Sequence, residues 1–248
     1  MIRRAGMSAI EPKAATMMTP KQIPMGLPLP AAMGREDFFV TPANAQALTT
    51  VESWPNWPQG KLVLTGPEGA GKTHLAHLWA TEAAGQVLPA RAVLLGDPDA
   101  LIARTPHIAL EDAEALVGLP AAEEALFHLH NMILAAQGRL LITAKTPPAR
   151  WALGLPDLAS RLQATAVVAL APPDDALLEA VLVKLFADRQ LQVTPSLIAY
   201  LLPRMERSLA AAQTLVADLD RRALAGRRPV TRRLAAEVLD EESGGLAE

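Results

Sequence analysis

From residue 38 onward, the hydrophobic and polar positions alternate between two patterns that predict strands and helices in turn. Short apolar runs predict five strands, at 61–65, 92–95, 108–110, 139–144 and 165–170. Longer amphipathic segments predict helices at 43–54, 73–84 and 121–137. Strands that alternate with helices are typical of an α/β fold with a five-stranded parallel sheet covered on both faces.

The pattern changes after residue 171, and the rest of the chain is predicted to be helical. Helices are expected at 174–190, 194–202, 208–225 and 231–240. Residues 1–34 show little periodicity and contain five prolines, which disfavour both helices and central strands. We therefore predict a flexible N-terminal arm over 1–34, an α/β domain over 35–171 and a small all-helical lid domain over 172–248.

The strongest chemical signal is a glycine-rich loop between the first predicted strand and the helix after it. It fits the pattern G-x-x-x-x-G-K-[ST] at every defined position, with Gly66, Pro67, Glu68, Gly69, Ala70, Gly71, Lys72 and Thr73. In such a loop the backbone N–H groups and the helix N-terminus face the β-phosphate of a nucleotide. Lys72 would neutralise the phosphates, and the Thr73 hydroxyl would coordinate Mg²⁺. The loop predicts binding of ADP or ATP.

Two carboxylates and two arginines are candidates for the remaining chemistry. Glu111 and Asp112 end an apolar strand, where one can hold the Mg²⁺ shell through water and the other can orient an attacking water. Arg161, just before the last predicted strand, could reach the γ-phosphate of a neighbouring subunit. Arg207 could close over the phosphates from the helical part. The same acidic run is also typical of a solvated loop, and each arginine alone is typical of a surface residue.

Composition narrows the function classes further. The formal net charge is −3 and there is no cysteine, which excludes disulfides, thiolate zinc sites and cysteine nucleophiles. No stretch of 18 or more apolar residues predicts a membrane span, so we expect a cytoplasmic protein without a membrane partner. Arginines cluster near the C-terminus in a pattern typical of a solvated helix face, so direct DNA binding is expected to be weak or absent: Arg221, Arg222, Arg227, Arg228, Arg232 and Arg233.

Taken together, these motifs resemble the AAA+ ATPases, and among them the nucleotide-binding part of the replication initiator DnaA. The resemblance covers residues 38 to about 240. It is carried by FFV at 38–40 with Asn44-Ala45, GPEGAGKTHL at 66–75, LLITAKTPPARW at 140–151, LPDLASRL at 155–162 and RSLAAAQTL at 207–215. It implies an AAA+ P-loop NTPase core and a helical lid. It also implies that His74 belongs to the nucleotide-binding segment, that Arg161 is the arginine finger and that Arg207 is the second sensor.

A DnaA-related chain that stops at Glu248 is similar to the Hda type (homologous to DnaA), which promotes hydrolysis of the ATP bound to DnaA. Members of that type carry a peptide that binds the sliding clamp of DNA polymerase III, and the segment 22–29 looks similar to one. By this resemblance Gln22 enters a small polar site, and the apolar members of the peptide fill the cleft beside it: Ile23, Met25, Leu27 and Leu29. A proline-rich linker is the alternative interpretation of this segment. AAA+ geometry also allows a homo-oligomer.

The chain departs from the family pattern at two positions that matter for hydrolysis. The acidic pair is Glu111-Asp112 where the family uses Asp-Asp or Asp-Glu, and Thr143-Ala144-Lys145 contains no Asn or Asp where a polar sensor is expected. We therefore predict weak or absent intrinsic ATPase activity, with the nucleotide as a structural and allosteric ligand. The alternatives are a helicase-loader-type AAA+ ATPase and an AAA+ protein that binds DNA directly.

Overall fold

The computed structural model describes Arg35 and residues 38–244, with side chains as far as Glu241. These residues belong to one compact unit, Met33–Glu248. The predicted clamp-binding residues, Gln22, Ile23, Met25, Leu27 and Leu29, lie outside the described residues, so their role stays a prediction. Among the described helices, none combines the length and the apolar character needed to cross a membrane.

A five-stranded, fully parallel sheet forms the centre of the α/β part, as predicted. Its strands are β1 (Lys61–Thr65), β2 (Gln86–Pro89), β3 (His107–Glu111), β4 (Arg139–Ala144) and β5 (Val167–Ala169). The spatial order is β2-β3-β4-β1-β5, so β1 lies between β4 and β5. Every residue of β1 is buried, because helices cover both faces of a parallel sheet.

In the described part of the chain, six α-helices accompany the sheet and four follow it. The first six are α1 (Ala45–Glu52), α2 (Lys72–Glu82), α3 (Ala92–Leu95), α4 (Pro98–Arg104), α5 (Pro120–Ala135) and α6 (Pro156–Gln163). The four later helices agree in number and order with the prediction: α7 (Asp175–Asp188), α8 (Pro195–Leu201), α9 (Leu209–Gly226) and α10 (Arg232–Gly244).

One predicted strand was wrong. Residues 92–95 form the helix α3, and the strand lies earlier, at Gln86–Pro89. Four consecutive apolar residues fit a short helix as well as a strand, and periodicity alone does not separate the two. The true strand β2 is an outermost strand of the sheet and only partly buried, so its sequence carries a weak apolar signal.

Over residues 38–241, the buried apolar side chains form three clusters. Ile108 and Leu110 point to the face covered by α5 and α6, whereas Ala109 points to the face covered by α1 and α2, as the two-residue period of a strand requires. The third cluster lies within residues 178–239 and joins α7 to α10. The predicted boundary near residue 171 falls between these clusters and stays a prediction, because the chain from Met33 on groups as one unit.

Two basic side chains are buried beneath the amino end of β1. Lys61 is 1% exposed, and its Nζ donates to the carbonyl oxygen of Arg161 at 3.2 Å. His130 on α5 is fully buried, with Nδ1 3.2 Å from Asn131 Oδ1. Burial, followed by the charge of Lys61, lowers the pKa of His130 from 6.5 to about 4. The imidazole is therefore neutral in the folded protein at neutral pH.

This histidine makes the stability of the fold dependent on pH. Between pH 6.5 and 4 the unfolded chain protonates position 130 while the folded chain does not, so the free energy of unfolding falls as the pH is lowered through that window. The full loss is on the order of 3 kcal/mol. We predict that His130→Leu flattens this part of the curve of unfolding free energy against pH, measured by urea denaturation. The matched variant His128→Leu changes an exposed position on the same helix, and its unfolding free energy should depend on pH as that of the wild type does.

Candidate functional site

The glycine-rich loop lies between β1 and α2, and its glycines are required by close backbone approaches. Gly69 and Gly71 have φ values of 70° and 105°, which side-chain-bearing residues rarely adopt. A Cβ atom on Gly66 would lie 2.6 Å from the carbonyl oxygen of Leu170, the residue after β5. The loop is thus held against the residue after β5 at Gly66, which has no room for a side chain.

Lys72 begins α2 and folds back into the loop. Its Nζ donates to the carbonyl oxygens of Gly66 and Pro67, both at 2.8 Å, and the residue is 8% exposed. Burial lowers the pKa of Lys72, and the negative charge of Asp112 opposes this effect. The ammonium group therefore lies inside the concave side of the loop, where an anionic ligand would compete with the two carbonyl groups for it.

The two predicted carboxylates lie at the same edge of the sheet as the loop, because parallel strands share the edge of their carboxyl ends. Glu111 ends β3, and its Oε1 is buried without a hydrogen-bond partner among the described residues. Asp112 follows in a left-handed conformation, with φ 53°, and its N–H donates to Thr143 Oγ1 at 3.1 Å. A buried carboxylate oxygen without a hydrogen-bond partner lowers the stability of the fold unless a bound ligand, ion or water interacts with it.

These oxygens fit a Mg²⁺ ion that is held jointly with a nucleotide. Mg²⁺ is usually held by one or two carboxylates together with phosphates and water. Glu111 offers such a carboxylate, and the exposed Thr73 at the start of α2 offers a hydroxyl. Over Arg35 and residues 38–244, no group of three or more His, Cys, Asp or Glu side chains could hold a metal without outside ligands.

Sequence reasoning missed a second set of contacts around Lys145, which follows β4. Lys145 Nζ forms an ion pair with Glu68 of the glycine-rich loop at 2.9 Å, and each partner raises the charged fraction of the other: the pKa of Lys145 is raised and that of Glu68 is lowered. Glu114 holds the segment after β4 by accepting from the N–H groups of Lys145 and Thr146 and from Thr146 Oγ1. A lysine thus occupies the place where a neutral polar sensor was expected. These pairs join residues 31, 32 or 77 positions apart, so no local pattern indicates them.

The start of α9 is packed directly on the glycine-rich loop. The N–H of Leu209 donates to the carbonyl oxygen of Gly69 at 2.8 Å, and Ser208 is buried against Gly69 while its Oγ caps α9. The neighbouring Arg207 points elsewhere and pairs with Asp175 of α7 at 2.7 Å, with both side chains largely exposed. The backbone at Arg207 therefore lies close to the loop, but its guanidinium is directed to α7. His74, one residue after the predicted Thr73, contacts Phe38 edge-to-face at 5.2 Å.

Arg161 lies on α6, at the opposite edge of the sheet from the glycine-rich loop. Its carbonyl oxygen is bound by Lys61, which begins β1, whereas the loop follows Thr65, which ends it. Five strand residues span roughly 15 Å. Arg161 is exposed, and no carboxylate in the described part of the chain pairs with it. Its guanidinium lies over the ring of Phe127, 5.2 Å from the centroid.

The C-terminal arginines are arranged differently, since most of them are neutralised. Arg222 pairs with Glu241, Arg228 and Arg233 share Glu237, and Arg221 pairs with Asp218. Arg232 lies over the ring of Tyr200 instead. Four of the six arginines are thus paired with carboxylates, as is typical of a solvated helix pair, and this pairing reduces the positive charge that the face could offer to a phosphate backbone.

No protein-family model matches the chain. Its fold is similar to solved AAA+ structures. Domain III of the replication initiation protein DnaA from Thermotoga maritima matches with a TM-score of 0.74 at 18% identity, over 87% of this chain and 98% of that one. AMPPCP-bound DnaA from Aquifex aeolicus matches with a TM-score of 0.60 at 18% identity, over 77% and 66%. The FIGL-1 AAA domain matches with a TM-score of 0.65 at 15% identity, over 84% and 83%. The chain therefore has a DnaA-like AAA+ fold.

The contact between Gly69 and Ser208 gives a test of how the loop is held. In Gly69→Ala the new methyl group would overlap Ser208 and lie 2.8 Å from its Oγ, in addition to the strain of a positive φ. We predict a loss of about 3 kcal/mol in the free energy of unfolding by urea denaturation.

Gly118→Ala is the matched control, because Gly118 has a φ of 80° and nothing within 4 Å of its Cβ position. It should lose only about 1 kcal/mol, the cost of the backbone conformation alone. Equal losses in the two variants would show that the packing of Ser208 on the loop contributes nothing.

Proposed function

We propose that this chain is a nucleotide-binding AAA+ regulator of replication initiation, which binds the sliding clamp and promotes hydrolysis of the ATP held by DnaA. One observation carries the proposal. The chain combines a complete phosphate-binding loop at one edge of the sheet with an exposed, unneutralised arginine, Arg161, at the opposite edge. That arginine is too far from the chain's own loop to serve it, but it suits the nucleotide of a neighbouring subunit.

The loop would hold ADP or ATP as a structural ligand. Lys72 would exchange its two carbonyl acceptors for phosphate oxygens, and the N–H groups at the start of α2 would face the same phosphates. Thr73 and Glu111 would hold Mg²⁺, which supplies neutralisation of phosphate charge when bound. The likeness in fold to AMPPCP-bound DnaA supports this ligand class. The departures at Glu111-Asp112 and Lys145 support slow or absent turnover by the chain itself.

Arg161 would act on the partner's ATP. A guanidinium placed at the γ-phosphate stabilises the charge that develops during phosphoryl transfer, and arginine fingers accelerate such reactions by ~10³–10⁵. The absence of a carboxylate partner among the described residues leaves its full charge available for this role. A homo-oligomer in which Arg161 meets the loop of a second copy would use the same surface.

The segment 22–29 would provide the second contact. An extended, proline-containing peptide loses little conformational freedom when it docks in a cleft, so a few side chains suffice for binding. Attachment to the clamp would raise the local concentration of the chain near newly replicated DNA, where a weak contact with DnaA becomes effective. A helicase-loader would not need this peptide, so clamp binding separates the two candidate functions.

The role of the loop predicts the behaviour of one lysine variant. Lys72→Ala removes the buried ammonium group, and we expect the dissociation constant for ATP and ADP to rise by roughly 100-fold, the loss of two charge-assisted hydrogen bonds. Isothermal titration calorimetry measures this directly. Lys184→Ala on α7 removes the same charge away from the loop and should bind nucleotide as the wild type does.

The role of Arg161 predicts a loss of activity without a loss of binding. With clamp loaded on DNA and ATP-bound DnaA, we expect Arg161→Ala to reduce the stimulated rate of ATP hydrolysis by ~10³ or more, while it co-elutes with the clamp as before. Arg150→Ala, at an exposed arginine of the same α/β part, is the control and should keep both activities. In size-exclusion chromatography, Gln22→Ala should no longer co-elute with the clamp, whereas Arg161→Ala should. Equal loss of clamp binding and stimulation in Arg161→Ala would count against the proposal.

A further inference from the structure

Arg161 and the start of its helix are held by three side chains from other elements, and none of them neutralises the guanidinium. Phe127 of α5 and Lys61 of β1 contact Arg161 itself, whereas Glu123 of α5 binds the chain just before α6. None of the three was indicated by the sequence patterns.

Glu123 fixes the chain just before α6. It is 2% exposed; its Oε2 accepts from the N–H groups of Gly154 and Leu155, and its Oε1 accepts from that of Gly118, all at 2.8 Å. No cation pairs with it in the part of the chain that the structure describes. A buried carboxylate without a cation is costly, and these three amide donors are what stabilise it here. The carboxylate therefore ties the start of α6 to α5.

Phe127 fixes the other end of the arginine. It lies four residues after Glu123, one turn further along α5, so the two side chains project from neighbouring positions on the same side of the helix. The guanidinium of Arg161 lies over its ring, at a distance within the range of a cation–π contact. An aromatic face orients a guanidinium but leaves its charge and its N–H donors available to an anion. A carboxylate partner would have used both.

The backbone of Arg161 is held from a third direction. Its carbonyl oxygen accepts from the buried Lys61 Nζ at 3.2 Å and from Thr165 Oγ1 at 2.9 Å. The helix α6 is thereby fixed at its amino end by α5 and at Arg161 by β1. Only the guanidinium retains freedom, and the ring of Phe127 restricts that.

We propose that Glu123 and Phe127 are positioning residues for Arg161, which hold its guanidinium preorganised for the phosphate of a neighbouring subunit. This inference rests on the proposed function of Arg161 in trans. Preorganisation matters because a misplacement of about 1 Å at a reacting centre can cost ~10²-fold in rate. The contribution of the ring should appear in the rate of hydrolysis in the complex, and the affinity for the partner should be unchanged.

Phe127→Leu and Phe127→Tyr form a matched pair that tests the ring. Leucine keeps an apolar side chain but removes the aromatic face, whereas tyrosine keeps the face. We expect Phe127→Leu to lower the maximal stimulated rate with ATP-bound DnaA by roughly 5- to 30-fold. The concentration of chain giving half-maximal stimulation should stay within about twofold, and Phe127→Tyr should restore the rate. A rise in that concentration with no change in maximal rate, or failure of tyrosine to restore it, would overturn the proposal.

NMR tests the positioning separately from the proposed function. In the wild type the Nε–Hε signal of Arg161 should be shifted by the ring and should show the relaxation of a rigid group. Phe127→Leu should abolish both effects and Phe127→Tyr should restore them. In Glu123→Gln we expect faster amide hydrogen exchange, by tenfold or more, either at Gly118 or at Gly154 and Leu155, because one amide oxygen cannot replace both carboxylate oxygens. An Arg161 signal that is mobile in the wild type would refute the positioning.

The two proposals fail in different ways. If Arg161→Ala leaves the stimulated rate unchanged, the function in trans is wrong, and the NMR results alone decide whether the guanidinium is held. If Arg161→Ala abolishes stimulation but Phe127→Leu matches the wild type in rate, the function stands and the positioning role of Phe127 is wrong.

Discussion

Every strand of the sheet runs in the same direction, and this constraint decides where each functional group lies. The carboxyl ends of β1, β3 and β4 share one edge, so the glycine-rich loop, Glu111 and the segment after Ala144 converge there although they are distant in sequence. The amino ends share the other edge, where Lys61 binds the backbone of Arg161. A phosphate-binding loop and an arginine at opposite edges are a direct result of this polarity. The two groups cannot meet within one copy of the chain.

Charge balance separates the arginines that have a structural role from the one that is available to a ligand. Two carboxylates of α10, Glu241 and Glu237, pair with Arg222 of α9 and with Arg228 just after it, so these side chains serve to join the two helices. Glu123 could have neutralised a cation near α6, but it is occupied by backbone N–H groups. Within the described residues, the guanidinium of Arg161 is thus left without a carboxylate partner and contacts the ring of Phe127 instead.

The sequence was sufficient to predict four of the five strands, the longer helices and the loop at 66–73, because these depend on short-range patterns: apolar periodicity, and glycines at fixed offsets before a lysine. It failed at 92–95, where a short apolar run carried no period, and it missed the short helices α4 and α6, the second of which is held at its amino end by Glu123. The ion pair of Lys145 with Glu68 and the packing of Ser208 on Gly69 are tertiary contacts between residues 77 and 139 positions apart. Only the fold brings such pairs together. The carboxylates were located by sequence, but the orphaned oxygen of Glu111 required the structure.

The hydrogen bond from Leu209 to the carbonyl oxygen of Gly69 joins the helical segment to the loop that would bind phosphate. By thermodynamic linkage, a ligand that changes the shape of the loop also changes the free energy with which α9 packs on it. A partner that moves α9 must then change the affinity for that ligand by the same factor as the ligand changes the affinity for the partner. The side chains at positions 69 and 208 would occupy the same space, so a larger residue at one position requires a smaller or displaced residue at the other. These two residues should therefore evolve as a pair, and the tightness of their fit sets how strongly events at the helical segment are communicated to the nucleotide.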